Sequence, residues 1–120
     1  MRIVFLDAYT MNHGDIDFSQ LESQGELTVY DRTPKEKIIE RSRKADIIIS
    51  NKVVFDRSVL ESLPNLKYIC VAATGSNNID IVAARAHKIL VSNVVGYSTH
   101  SVSQHVFSLL FALVNQTAQY

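Results

Sequence analysis

Short apolar segments alternate with segments of helical pattern along most of this 120-residue chain. Five of the apolar segments are rich in β-branched and other strand-forming residues, and polar or turn-forming residues bound each of them. Strands that are separated by helices are expected to pair in parallel, because a parallel pair needs a crossover connection. The strands are expected at residues 2–6, 26–30, 46–50, 67–72 and 89–92.

This alternation predicts an α/β fold whose parallel sheet carries helices on both faces. Right-handed crossovers leave few strand orders, and a flavodoxin-like, doubly wound sheet of five strands is the order we expect. The chain is long enough for one domain with its own core. Helices are expected at residues 18–23, 34–44, 56–63, 80–86 and 101–115 or beyond.

Capping residues indicate where these helices begin. Thr33, Pro34 and Glu36 match a capping box with proline at the first helical position. The helix that follows should turn Ile38 and Ile39 toward the core. The other expected caps are Asp56 and Ser101, the latter in a capping box with Gln104, and a further helix is expected to begin at Asp80.

The composition is typical of a soluble globular protein, with 47% hydrophobic and 20% charged residues. The net charge of zero argues against a nucleic acid or a membrane surface as partner, since phosphate binding usually needs a basic excess. No segment has the pattern of a signal peptide or the length of a membrane span, so we expect a cytoplasmic location. The single cysteine, Cys70, cannot form an internal disulfide and is expected to be buried and inert.

Ligands of an open parallel sheet bind beyond the carboxyl ends of its strands. Four segments fall there, at residues 7–10, 51–52, 74–78 and 93–99. The third is the richest in donors: Gly75 lets the backbone approach a ligand, and the neighbouring amides and the start of the next helix favour an anion. A small carboxylate is the natural ligand, and a polar turn that only caps the helix is the alternative.

Asn51 and Lys52 directly follow a buried strand. Lys52 could neutralise a carboxylate or a phosphate, or it could be a solvent-facing loop lysine. The four glycines match neither a G-x-G-x-x-G fingerprint nor a phosphate loop, so the chain alone is not expected to hold a dinucleotide. His100 and His105 are five residues apart, which is not one helix face, and no metal site is expected.

The last helical segment is apolar around most of its circumference, which is typical of a helix that is buried on most sides. One apolar stripe should cover the sheet, and the other needs a partner, either a further domain or a second copy of the chain. The first stripe consists of Val102, Val106, Leu109, Leu110 and Leu113, and the second of Phe107, Phe111 and Val114.

Six motifs occur along the chain in a fixed order: SNK at 50–52, LPNLKYI at 63–69, ATGSNNID at 73–80, VSNV at 91–94, GYST at 96–99 and SVSQH at 101–105. Together they resemble the N-terminal, substrate-binding domain of D-isomer-specific 2-hydroxyacid dehydrogenases. Within that family the chain is most similar to the glycerate dehydrogenase (hydroxypyruvate reductase) group. The resemblance covers essentially the whole chain.

The resemblance implies roles for the residues at the carboxyl edge. It places residues 1–100 in a substrate-binding domain and residues 101–120 in an interdomain helix that leads to a dinucleotide-binding domain. The substrate would be a small 2-oxo or 2-hydroxy acid, and the full-length parent would bind NAD or NADP. Asn51, Lys52, Thr74, Gly75 and Ser98 would contact or shape the substrate site, and Thr99 and Val102 would lie near the nicotinamide.

The implied activity is the interconversion of a D-2-hydroxy acid such as glycerate and its 2-oxo acid, hydroxypyruvate or glyoxylate. The family's catalytic arginine, glutamate and histidine belong to the following domain, so no catalytic residue is expected here and the chain alone should be inactive. The alternative is a free carboxylate-binding or regulatory module that dimerises through its last helix. A homodimer is expected in either case. The chain departs from the family pattern at Lys88, Leu90 and Val95.

Overall fold

The structure, a computed structural model, describes residues 1–116 of the chain and contains one five-stranded sheet. Every strand pair is parallel, and the spatial order of the strands is β2-β1-β3-β4-β5. This order confirms the predicted flavodoxin-like, doubly wound fold. The strands are β1 (Arg2–Phe5), β2 (Glu26–Val29), β3 (Ile47–Ser50), β4 (Tyr68–Val71) and β5 (Leu90–Asn93).

Helices follow the strands in the expected order, and the first four are shorter than the sequence predicts. Single 3₁₀ turns at Ala8–Thr10 and Lys35–Lys37 accompany them. The α-helices are α1 (Ser19–Glu22), α2 (Ile38–Ser42), α3 (Arg57–Glu61), α4 (Ile81–Ala86) and α5 (Thr99–Asn115).

The two faces of the sheet are covered unequally. Side chains of α2, α3 and α4 pack on one face in a buried cluster that contains Leu6, Ile48 and Ile69. The other face packs Phe5 and Ile49 against the single turn of α1 and its flanking residues. Cys70 lies on this second face and is partly exposed, not buried as predicted, because α1 covers only part of the face.

One of the three predicted helix caps is present and two are absent, and Asp80, predicted only as the start of a helix, is a further cap. Asp56 accepts a hydrogen bond from the amide of Val59, and Asp80 from the amide of Ala83, as N-cap residues do. Thr33 instead donates its hydroxyl to Leu6 O, 27 residues away, so the predicted capping box is wrong. The chain after Pro34 forms a 3₁₀ turn before α2, which leaves Ile39 39% exposed.

The last helix also begins differently from the prediction. It starts at Thr99 after Ser98, which makes no side-chain capping hydrogen bond, so Ser101 lies inside the helix and does not cap it. Neither apolar stripe covers the sheet, since every described residue of α5 is exposed. The Cα radius of gyration is 18.1 Å, against roughly 14 Å for a compact chain of this length, because α5 extends away from the sheet. Residues 117–120 of the predicted interdomain segment lie outside the described residues.

The chain leaves α4 through a strained position at Lys88. Its φ is 58°, a left-handed conformation in which a Cβ atom is unfavourable and glycine is preferred. The conformation is held by hydrogen bonds from Lys88 N to Arg85 O and from Ile89 N to Ala84 O, at 3.0 and 2.9 Å. This position is one of the departures from the family pattern, and its conformation explains why glycine suits it.

Lys88→Gly should therefore stabilise the chain. We expect the free energy of unfolding to rise by about 0.5–1 kcal/mol, because relief of the left-handed strain exceeds the added entropy of the unfolded chain. Urea denaturation measures the change. Arg85→Gly, in the regular part of α4, is the matched control and should lower stability by about 0.5–1 kcal/mol. Equal destabilisation by both substitutions would contradict the prediction.

Asp46, which precedes β3, forms hydrogen bonds with residues at the amino ends of β1 and β4. Arg2 N donates to its Oδ2 at 2.9 Å, and Lys67 Nζ donates to its Oδ1 at 3.1 Å. The hydrogen bond from the Arg2 amide, followed by that from Lys67, lowers the pKa of the Asp46 carboxyl from its ordinary value. These contacts favour the ionised form, so their contribution is present above about pH 4 and is lost as the pH falls through the folded-state pKa.

Asp46→Asn should make stability less dependent on pH between about pH 5 and pH 2, because the ionisation that strengthens these contacts is removed. Urea denaturation at several pH values in this range checks the expectation. Glu61→Gln is the control, since the hydrogen bonds of the described residues do not involve the exposed Glu61 carboxylate. A pH dependence that Asp46→Asn leaves as steep as in the original chain would show that Asp46 is not its source.

Candidate functional site

The loops that follow β1, β3, β4 and β5 meet at the carboxyl edge of the sheet. Polar side chains link each loop to the next by hydrogen bonds between segments far apart in sequence. The predicted site segments are therefore neighbours in space. The turn after β4, residues 73–78, lies between the loops that follow β3 and β5 and is called here the anion turn.

The anion turn presents backbone amides that have no acceptor. Within residues 1–116, the amide nitrogens of Thr74, Gly75, Ser76 and Asn77 donate to no protein oxygen. Thr74, Gly75 and Asn77 are exposed, so a ligand can reach this part of the backbone. A run of unpaired amides carries partial positive charge, which favours the binding of an anion.

Asp80 already satisfies the start of the next helix. Its side chain accepts from Ala83 N at 2.8 Å. With six residues, α4 is short, and its first turn is occupied by this carboxylate, so the expected contribution of a helix dipole to the site is small. Within residues 1–116, no oxygen of the anion turn accepts a hydrogen bond from the first turn of α4.

Two asparagine side chains, one inside the anion turn and one in β5, connect the turn to the loops on both sides. Asn93 donates its side-chain amide to Thr74 O at 2.6 Å, and Thr74 Oγ1 donates to Val94 O at 3.0 Å. On the other side, Asn78 donates to Val53 O at 2.8 Å, in the loop after β3. These contacts use the carbonyls and the side chain of the turn and leave its amides free.

Gly75 lies close to the side chain of Asn77 within the anion turn. A Cβ atom at this position would lie 3.2 Å from Asn77 Oδ1, closer than almost all side-chain contacts. Its φ lies outside the left-handed range, so no unusual backbone conformation favours glycine here, and a larger residue would need only a small shift of the Asn77 side chain.

A buried carboxylate holds the loop that follows β3. Asp7, at the end of β1, is 4% exposed and accepts hydrogen bonds from Asn51 N at 2.9 and 3.1 Å and from Lys52 N at 2.6 Å. Thr10 adds a second link, since its Oγ1 accepts from Asn51 Nδ2 at 3.1 Å and donates to Asp7 O at 2.7 Å.

Asn51 and Lys52 point to different clefts. Asn51 lines a cleft of about 380 Å³ together with Ala72, Val94 and Tyr97. The Oδ1 atom of Asn51 is buried and accepts no hydrogen bond from the described part of the chain. Lys52 lines a neighbouring cleft of about 480 Å³ with further polar and aromatic side chains. These are Asp7, Tyr9, Thr10, His13, Arg32 and Thr33.

The remaining predicted site residues lie where the chain enters α5. Gly96 has a φ of 74° and turns the backbone toward the helix. Ser98 is half-buried, whereas Thr99 and Val102 in the first turn of α5 are exposed. The structure thus places them beside the loop after β5, at the same edge as the anion turn, but no hydrogen bond joins them to it within the described residues.

Sequence reasoning assigned no role to three side chains that organise this edge. Asp7, Asn78 and Asn93 fall in the four edge segments or next to them, and position after a strand was the available signal. Their partners are 44, 25 and 19 residues away, so the pairing follows from the fold. In residues 1–116, no cluster of three His, Cys, Asp or Glu side chains could hold a metal ion. No helix in the same residues is long and apolar enough to cross a membrane.

Comparison with known proteins assigns the family. The catalytic-domain model of D-isomer specific 2-hydroxyacid dehydrogenases matches residues 3–119. The chain belongs to the D-isomer-specific 2-hydroxyacid dehydrogenase family. This confirms the resemblance that the six motifs carry.

Two curated relatives and one solved structure show how far the similarity extends. A provisionally named 2-hydroxyacid dehydrogenase of Haemophilus influenzae is 45% identical over 98% of this chain and 37% of its own length. A hydroxypyruvate reductase of Blautia hydrogenotrophica is 40% identical over 100% of this chain and 38% of its own. The structure of an acyclic imino acid reductase in complex with NADPH and D-Arg superposes with a TM-score of 0.84 at 28% identity, over 99% of this chain and 39% of that one. The chain thus spans less than two fifths of the length of these relatives.

Proposed function

We propose that this chain is the substrate-binding part of an NAD- or NADP-dependent oxidoreductase that interconverts a D-2-hydroxy acid and its 2-oxo acid. The free amides of the anion turn carry the proposal, because they form a carboxylate site at the edge where this fold binds ligands. A glycerate-like substrate, with hydroxypyruvate or glyoxylate as its oxidised form, is favoured by the hydroxypyruvate reductase relative. The family membership supports the reaction class.

In this proposal the chain binds and orients the substrate. The amides of Thr74 and Gly75 hold the carboxylate, and Asn51 bounds the pocket on the side of β3. Fixed amides that bind the carboxylate hold the C2 atom of the acid in one orientation. This orientation lowers the entropic cost of bringing two reactants together. Ser98 lies near the substrate where the chain enters α5, and Lys52 contributes positive charge from the neighbouring cleft.

The nicotinamide cofactor supplies the two-electron redox chemistry when it is bound. The surface that this chain can offer to it is the exposed first turn of α5, with Thr99 and Val102. The glycines of the chain lack the spacing of a dinucleotide fingerprint, so the proposal assigns the binding of the cofactor and the catalytic groups to a second domain. The chain alone should therefore turn over no substrate.

A titration with hydroxypyruvate tests the carboxylate site. We expect the ¹⁵N–¹H NMR signals of the Thr74, Gly75, Ser76 and Asn77 amides to shift on addition of hydroxypyruvate, because these free donors gain an acceptor. Dihydroxyacetone is the matched control ligand: it keeps the ketone and one hydroxymethyl group and replaces the carboxylate. Equal shifts with both ligands, or shifts confined to other residues, would contradict the proposal.

We also propose that the chain forms a homodimer through α5. Phe107, Phe111 and Val114 are 57%, 58% and 69% exposed and lie on one side of the helix, and the two phenylalanine rings are 6.3 Å apart. An apolar stripe of this kind on a helix with no partner in the described chain is typical of an interaction surface.

The double substitution of Phe107 and Phe111 by aspartate should convert a dimer into a monomer in sedimentation equilibrium, because two charges would be buried at the contact. His105→Asp, on the opposite side of α5, is the control and should leave the dimer intact. A mass of one chain at all concentrations before any substitution would show that α5 does not mediate self-association.

A further inference from the structure

The buried carboxylate of Asp7 has no cationic partner in residues 1–116, although it lies at the edge that is proposed to bind an anion. An unpaired buried carboxylate is unfavourable, and a second negative charge nearby would repel a carboxylate ligand. Both oxygens of Asp7 instead accept hydrogen bonds from the amides of Asn51 and Lys52, with N–O distances between 2.6 and 3.1 Å. The charge is thus engaged within the loop after β3.

These hydrogen bonds fix the loop of residues 51–55, and this loop in turn contacts the anion turn. Val53 O accepts from Asn78 Nδ2 at 2.8 Å, and Asn51 O lies 3.5 Å from the same nitrogen. Phe55 N donates to Asn78 O at 2.8 Å, and Asp80 N donates to Phe55 O at 2.9 Å. The end of the anion turn is therefore held by backbone groups that directly follow the segment bound by Asp7.

We propose that Asp7 is a positioning residue for the anion turn, acting through the loop of residues 51–55 and through Asn78. It does not touch the substrate, because its oxygens are occupied by the loop amides and its side chain is buried. The inference rests on the proposed function, since the turn it positions is the proposed carboxylate site. It goes beyond the family assignment by linking the end of β1 to substrate affinity.

The ligand-free consequence is measured first, by hydrogen exchange. Asp7→Asn removes the negative charge and replaces one acceptor oxygen by an NH₂ group that cannot accept. Both changes weaken the hydrogen bonds from the Asn51 and Lys52 amides. We expect exchange at Phe55 N and Asp80 N, in the more distant contacts with the turn, to become faster by about tenfold. Unchanged exchange at these two amides would overturn the inference whether or not the chain binds hydroxypyruvate.

The second measurement is the dissociation constant of hydroxypyruvate, obtained from the NMR titration. Asp7→Asn and Asn78→Ala should each weaken binding by about tenfold, and the double variant should be little weaker than either one, because both act on the same turn. Asp46→Asn is the control: this carboxylate also accepts a backbone amide, at the opposite edge of the sheet, and its loss should leave the dissociation constant unchanged. The inference would be overturned if the double variant weakened binding by the product of the two single effects. It would also be overturned if Asp7→Asn bound hydroxypyruvate as tightly as the original chain.

Thr10→Val covers the case in which Asp7→Asn does not fold. It removes the hydroxyl that links Asp7 O to Asn51 Nδ2 and leaves the carboxylate in place. We expect a severalfold weaker affinity for hydroxypyruvate and faster exchange at Phe55 N, and wild-type values for both would overturn the inference. Absence of hydroxypyruvate binding by the unsubstituted chain would instead refute the proposed function, and the exchange measurements would then decide the structural link alone.

Discussion

The hydrogen bonds from the Asn51 and Lys52 amides to Asp7 are the contacts on which the carboxyl edge of this sheet depends. They join the ends of β1 and β3, the two central neighbours in the strand order, across 44 and 45 residues of sequence. The loop that they hold supports the anion turn through Asn78, and Asn93 supports it from β5. Side chains and carbonyls supply these links, and the amides of Thr74 to Asn77 consequently have no protein acceptor in residues 1–116.

The unequal cover of the sheet has a second consequence, for assembly. Three helices bury one face, whereas the other face has the single turn of α1, and α5 contributes to neither. An extended helix whose apolar side chains are all exposed gains nothing from the core of its own domain. In the proposed dimer the partner would cover this helix and stabilise it, and because α5 starts at the carboxyl edge of the sheet, dimerisation would also affect the geometry of that edge.

The sequence predicts the sheet well because strand identity and parallel pairing depend on local apolar runs and on crossover length. It also predicts the cap at Asp56 and the helix start at Asp80, where the capping contact spans three residues. It fails at Thr33, whose hydroxyl bonds Leu6 O across 27 residues, because a long-range contact replaces the local one that the pattern indicates. The same limit explains why Asp7 and Asn78 received no role: their partners become neighbours only in the folded sheet.

The structure also bears on the two interpretations of the polar turn after β4. If that turn only capped a helix, its carbonyl or side-chain oxygens would accept hydrogen bonds from the amides in the first turn of α4. Asp80 performs this function alone, by accepting from Ala83 N, and the amides from Thr74 to Asn77 stay unpaired in residues 1–116. Unpaired amides are energetically unfavourable. Hydrogen bonds to water reduce this cost, and hydrogen bonds to an anion reduce it further. The capping interpretation therefore does not apply to residues 74–77, and their unpaired donors are what the proposed carboxylate ligand would use.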